Sequence, residues 1–222
     1  MDEVIVDAFH ATSRLTRSDI FVGDAATPIT AIEDANTPAP GWVGDAWQNG
    51  TVLIGINPGG GGDAYRRNPT DDQLYGLLRA FRNAEGVERQ HVFASLTSMW
   101  RSIQKTHNIW RVVNAVLEAT GESEHEIAFM NVVPFRTRMD KVPSRAELDA
   151  AWRLAAKPQL EALEPKRIIC LGKKAWDVLS RIEMVANKLV LMKRAIGDSY
   201  IPPEAQATLR ELARERDQAE SQ

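Results

Sequence analysis

The segment Thr51 to Arg67, TVLIGINPGGGGDAYRR, constrains the fold of this chain more than any other. Its apolar run, Val52 to Ile56, stops abruptly at Asn57-Pro58-Gly59 and three further glycines. A short apolar run bounded by Gly and Pro reads as a buried strand. Beyond it, the glycines let backbone N–H groups approach a ligand, because no Cβ stands in the way. Asn57 falls where the strand ends, and open α/β sheets bind ligands at the carboxyl ends of their strands. The same residues also satisfy a plain glycine-rich turn, so the choice between the two rests on the remainder of the chain.

Three more runs repeat the pattern. Ile127 to Val133 ends in Pro134-Phe135-Arg136, Arg167 to Leu171 ends in Gly172, and Lys188 to Met192 ends in Lys193-Arg194. Segments with helical spacing lie between them. Leu74, Leu77, Leu78 and Phe81 share one face over Asp71 to Ala84, and a second helix is expected over 98–120. Ser144 with Glu147 three residues on is a capping box, opening a helix that runs through Leu163 and is kinked or broken at Pro158. Lys173 to Ser180 and Glu204 to Arg216 complete the set, with a further helix possible over Val4 to Arg17. Residues 27–50 are rich in Pro and Gly and read as an irregular approach to the first strand, pinned to the core by Trp42 and Trp47. Continuous apolar strands alternating with helices are the signature of a parallel sheet covered on both faces. The expected fold is α/β: one three-layer α/β/α domain over 1–222 with a short, mostly parallel, four-stranded sheet, and with 1–50 packed on it as an extension.

Composition excludes several chemistries. Cys170 is the single cysteine, so no internal disulfide, cysteine-built zinc site or cysteine-held iron–sulfur cluster can form within the chain. The four histidines, His10, His91, His107 and His125, are widely spread and lack metal-ligand spacing. We therefore expect no metal and no cofactor. There is no apolar stretch of about 20 residues, hence no expected membrane span. The acidic start MDEVIVDAFHATSR lacks a secretory pattern, so a cytoplasmic, monomeric protein is expected.

The net charge of −3 hides an asymmetry. Arg66 and Arg67 come after the first strand; Arg136, Arg138 and Lys141 after the second; Lys173 and Lys174 after the third; Lys193 and Arg194 after the fourth. In a parallel sheet all of these gather at one edge. A mildly acidic chain that collects cations where its ligand should bind points to an anionic ligand, such as a nucleic-acid backbone or a nucleotide phosphate.

Three segments, GINPG (Gly55 to Gly59), NVVPFR (Asn131 to Arg136) and PQLEALEPKRIICLGKKA (Pro158 to Ala175), together resemble the uracil-DNA glycosylase superfamily. The first is similar to the mismatch-specific uracil/thymine branch, the other two to the iron–sulfur branch. The resemblance implies a DNA partner carrying a damaged or mismatched base. It also implies that Asn57 positions the attacking water and that Asn131 reads the Watson–Crick edge of a flipped base. Gly55, Ile56, Pro58 and Gly59 would border the base pocket, Tyr65 or Phe135 would stack on the base, and Asp63 is a further acid/base candidate. Arg66, Arg67, Arg136, Arg138, Lys173, Lys174, Lys193, Arg194 and Ser199 would hold the DNA backbone.

The resemblance fails in two respects: the cysteines of the iron–sulfur branch are absent, and so is one active-site motif. The superfamily carries His-Pro-Ser or Asn-Pro-Ser after its fourth strand, whereas this chain has Lys193-Arg-Ala-Ile-Gly-Asp-Ser-Tyr-Ile-Pro-Pro. Arg194, Asp198 and Ser199 are the polar groups there, and Tyr200 and Ile201 the apolar ones that would wedge into the base stack. A noncatalytic nucleic-acid or nucleotide binder of the same fold is the alternative, and a hydrolase of phosphorylated small molecules a second.

Overall fold

Five strands form one sheet in the computed structural model, which describes residues 1–22, 37–59, 69–137 and 141–221. They are β1 (Trp42–Val43), β2 (Thr51–Gly55), β3 (Ala128–Asn131), β4 (Arg167–Leu171) and β5 (Leu189–Met192), in the order β1-β3-β2-β4-β5. Strands β2 to β5 are the expected apolar runs, and neighbours among them pair in parallel. Every residue of β2 and β3 is buried, as sheet centres covered on both faces must be. The register sets Gly55 beside Asn131, Ile54 beside Cys170 and Leu171 beside Met192. The carboxyl ends of all four strands therefore share one edge. The chain winds from β2 toward β3 but from β4 toward β5, so its direction reverses between β2 and β4. Such a switch point opens a crevice at that edge.

The fifth strand was not expected. Residues 39–46 lie along β3, with β1 antiparallel to it, and backbone bonds run from Ala39 to Pro134 and from Gly44 to Ile127. Gly41 makes this approach possible. Its φ is +102°, and a Cβ there would stand 2.2 Å from the Phe129 carbonyl oxygen. Trp42 is fully buried and stacks on Phe129 at 6.2 Å between ring centroids.

Among the described residues, ten α-helices accompany the sheet: α1 (Glu3–Ser13), α2 (Arg17–Ile20), α3 (Pro69–Asn83), α4 (Val87–Gln104), α5 (Ile109–Thr120), α6 (Arg145–Ala151), α7 (Lys157–Leu163), α8 (Lys173–Leu179), α9 (Glu183–Ala186) and α10 (Pro203–Glu220). Helix α1 packs on α3, α4 and α7, α5 packs on α10, and α8 lies against β4 and β5. The architecture is three-layer α/β/α. The single helix expected over 98–120 is in fact two, because the backbone tightens after Gln104: Thr106 and His107 donate three residues back, to Ile103 and Gln104. The capping box at Ser144 is present. Pro158 does not break its helix. A π-helical turn, Trp152–Ala156, absorbs the missing N–H, with the Lys157 N–H reaching back to Trp152. At the opposite edge of the sheet Glu122 gathers the backbone and hydroxyl of Thr51 and the Lys166 ammonium, fixing the starts of β2 and β4.

Two glycine substitutions separate close approach from helix propensity. Gly41→Ala is expected to cost at least about 2 kcal/mol, roughly 4–8 °C in Tm for a chain of this size. Gly76→Ala in α3, where an added Cβ meets nothing within 4 Å, is expected to be neutral or to raise stability by up to about 1 kcal/mol. Thermal and urea melts of both variants measure this.

Candidate active-site cleft

A cleft of about 1000 Å³ opens at the carboxyl edge of the sheet. Gly55 to Gly59, Asn131, Leu171 to Lys174 and Arg194 to Asp198 line it from the strand ends, and the α4–α5 turn closes its far side. A smaller hollow of about 380 Å³ lies elsewhere and is lined by Asp2, Asp45, Glu161 and Glu164. Four carboxylates disfavour an anion there, whereas the cleft at the strand ends is lined by Arg136, Lys173, Lys174 and Arg194.

Asn57 sits at the mouth of the crevice, two residues beyond β2. Its Nδ2 donates to Thr137 Oγ1 at 2.7 Å. Thr137 is fully buried, and its own hydroxyl proton goes to the Lys141 carbonyl at 2.7 Å. The hydroxyl can therefore only accept from Asn57, which fixes the amide with NH₂ toward Thr137. The Asn57 carbonyl oxygen is left as the group it offers to the cleft: an acceptor suited to a water O–H.

Asn131 closes β3 directly beside Gly55. Its side chain crosses the strand end so closely that a Cβ on Gly55 would stand 2.5 Å from Asn131 Oδ1. Only 5 % of Asn131 is exposed, and its carboxamide makes no hydrogen bond among the described residues. Two carboxamides, one just beyond β2 and one at the end of β3, thus line one cleft, the first locked and the second without a hydrogen bond among the described residues.

Other expected site residues are placed differently. Phe135 is fully buried and meets Phe21 edge-on at 5.8 Å, so its ring is core and does not line the cleft. Ile56, Pro58 and Gly59 line it, as do Arg136, Lys173, Lys174 and Arg194. Lys173 also pairs with Asp177 at 3.0 Å, and Lys193 with Glu204 at 3.5 Å. Ser199 is exposed and donates back to the Ile196 carbonyl at 3.4 Å. Asp63, Tyr65, Arg66, Arg67 and Arg138 lie outside the described residues. Cys170 is buried in β4, and burial pushes its thiol up to about 12, which removes it as a nucleophile.

The loop after β5 is held from both sides. Arg194 Nε donates to Asp198 Oδ1 at 2.7 Å, and its NH2 pairs with Oδ2 of the same carboxylate. From α5, Arg111 donates to the Asp198 carbonyl, and Asn108 Nδ2 to the Gly197 carbonyl at 3.0 Å. Gly197 and Asp198 both take positive φ, 65° and 52°, which turns the backbone sharply and leaves Ile196 at the tip, 99 % exposed. Of the two expected wedge residues, Tyr200 is exposed at 58 %, whereas Ile201 packs partly against the core.

Thr137, Ile196, Asn108 and Arg111 were not singled out in the sequence. None belongs to a periodic pattern, and Thr137 acts only through a partner 80 residues away.

The chain belongs to the uracil DNA glycosylase superfamily: that family's model matches residues 42–206, from β1 to the start of α10. No curated protein matches the chain. No helix among the described residues is long and apolar enough to cross a membrane.

The loop's double anchorage has a measurable consequence. Asp198→Asn tolerates the left-handed backbone but removes the charge pair. Stability is expected to fall by only about 1 kcal/mol, since Arg194 is partly exposed. Hydrogen exchange is expected to accelerate at 195–200 and to stay unchanged in β2 to β4. Unchanged exchange at 195–200 would show that α5 alone holds the loop.

Proposed function

We propose that this protein hydrolyses the N-glycosidic bond of uracil or another damaged or mismatched base in DNA, as a monomeric, cytoplasmic enzyme of base-excision repair. The observation that carries this reading is the locked Asn57 amide, whose carbonyl faces the same cleft as Asn131.

An amide is a weak base, so Asn57 does not take a full proton from water. It accepts one O–H of the water and thereby aims an oxygen lone pair at the sugar C1′. The C1′–N bond breaks ahead of attack, its electron pair leaving with the base. The water oxygen then bonds to the cationic C1′ and gives up a proton, which ends on the departing base. The products are the free base and a sugar bearing a hydroxyl at C1′. Asn131 binds the base edge through the carbonyl and NH₂ of its carboxamide. The DNA phosphates stabilise the cationic sugar, held by Arg136, Lys173, Lys174 and Arg194. Ile196, standing out from its loop, is placed to fill the gap that the flipped nucleotide leaves in the stack.

One observation favours the alternative, a noncatalytic binder of the same fold. The polar side chains of the loop after β5, Arg194 and Asp198, are engaged with each other, and no histidine stands there to hold a base carbonyl. Removing a donor of that kind typically costs a factor of about 10² to 10³ in rate.

The deciding assay is alkali-induced strand cleavage of oligonucleotides carrying uracil, G·U, G·T, hypoxanthine or no lesion. Wild type is expected to cleave at least one lesion, and Asn57→Ala to lose roughly 10²-fold or more. Thr137→Val is expected to lower kcat about tenfold with KM unchanged, and Thr137→Ser to restore it, because only the hydroxyl orients Asn57. No cleavage by excess wild type, with DNA binding intact, would identify the binder instead.

A further inference from the structure

Gln104 ends α4 inside the protein and lines the cleft, yet it belongs to none of the strand-end motifs. Only 5 % of it is exposed, the same as Asn131. Its Oε1 accepts from the Trp42 indole N–H at 2.9 Å. An indole nitrogen only donates, so the Gln104 carbonyl must face Trp42 and the NH₂ must point the other way. Among the described residues that NH₂ has no hydrogen-bond partner.

The sheet places this donor over the base-facing side of β3. Phe129 and Asn131 are two residues apart on β3 and so share a face. Trp42 is the cross-strand partner of Phe129 and stacks on it. Gln104, bonded to Trp42, therefore stands on the face that carries Asn131, with the Phe129 ring between them as an apolar wall.

We propose that Gln104 is the specificity-determining donor of the cleft, selecting a base with a keto oxygen over the parent base with an amino group at the same position. The inference rests on the glycosylase reading and deepens it. Among the described residues Asn131 makes no fixing bond, so its carboxamide can turn to present either edge and accommodates both kinds of base. Gln104 cannot turn without stranding the Trp42 N–H. A keto oxygen accepts from its NH₂. An exocyclic amine meets it donor to donor, and both groups lose water without gaining a partner. This is the chemical difference between uracil and cytosine and between hypoxanthine and adenine.

The test is equilibrium binding of DNA with a 2′-fluoro nucleotide that resists cleavage, carrying uracil or cytosine, hypoxanthine or adenine. Wild type is expected to prefer each keto base over its amino parent. Gln104→Met, which removes the donor and keeps the bulk, is expected to reduce that preference about tenfold through weaker keto binding. Trp42→Phe keeps Gln104 but frees it to turn, and is expected to reduce the preference through tighter amino binding instead. Melting curves establish that each variant is folded, and either folded variant suffices. A preference within twofold of wild type in a folded variant would overturn the role of Gln104 and leave the glycosylase reading standing. A wild type that cleaves no lesion and prefers neither keto base would remove that reading, and this inference with it.

Discussion

The contact between Gly55 and Asn131 is the constraint on which the site depends. Parallel pairing puts the two residues side by side at the ends of β2 and β3, where every residue is buried. The Asn131 carboxamide can lie across the strand end only because residue 55 has no side chain; a Cβ would come within 2.5 Å of its oxygen. A slip of one residue in the β2–β3 register would turn every side chain of one strand to the other face. The fully buried β2 tolerates such an exchange poorly against covering helices of fixed shape, so the core that stabilises the sheet also sets where the two asparagines stand. Anchorage of the strand starts by Glu122, at the opposite edge, works toward the same end.

Position alone does not give an amide a chemical role, because its two ends are nearly identical in shape. In this protein the roles come from neighbours that can do only one thing. Thr137 must donate to Lys141 and is left to accept, so Asn57 turns its oxygen to the cleft. Trp42 can only donate, so Gln104 turns its nitrogen there. Asn131 has no such neighbour among the described residues and stays reversible. One cleft therefore holds a fixed acceptor, a fixed donor and a group that adapts to either. None of these requires a charged residue, which suits the neutral base of the proposed reaction.

The parallel strands were legible because a sheet buried on both faces leaves uninterrupted apolar runs, and three of the four runs here stop at Gly or Pro. The basic edge was legible for the same reason: once the strands are known to be parallel, the segments leaving their carboxyl ends are known to be neighbours. Strand β1 was not legible. Its two residues carry no period, and its pairing depends on Gly41 and on backbone bonds to a segment some 90 residues away, nothing of which shows locally. Phe135 was misread because a ring next to a strand end can point to the core as well as to the cleft, and only Phe21 decides it. Gln104 left a trace that reading by apolar stripe passes over. It lies four residues after Trp100 and one after Ile103, a polar residue on a core-facing stripe, and a buried amide of that kind has to be satisfied by something.

The loop after β5 shows what the departure from the family pattern changes physically. A histidine or asparagine in that loop would offer a base a neutral donor from a backbone free to approach it. Here the carboxylate of Asp198 draws Arg194 inward, while Arg111 and Asn108 hold the loop's carbonyls from α5. A guanidinium neutralised by its own loop is a weaker phosphate clamp than a free one, yet it gives the loop one conformation and fixes where Ile196 projects. On the proposed glycosylase reading, a departing base is stabilised from the other side of the cleft, from α4 and β3, where the buried carboxamides stand. Groups held by the core are in place before a ligand arrives, so less ordering is needed on binding. On that reading the chain replaces a loop-borne donor with carboxamides held by α4 and β3.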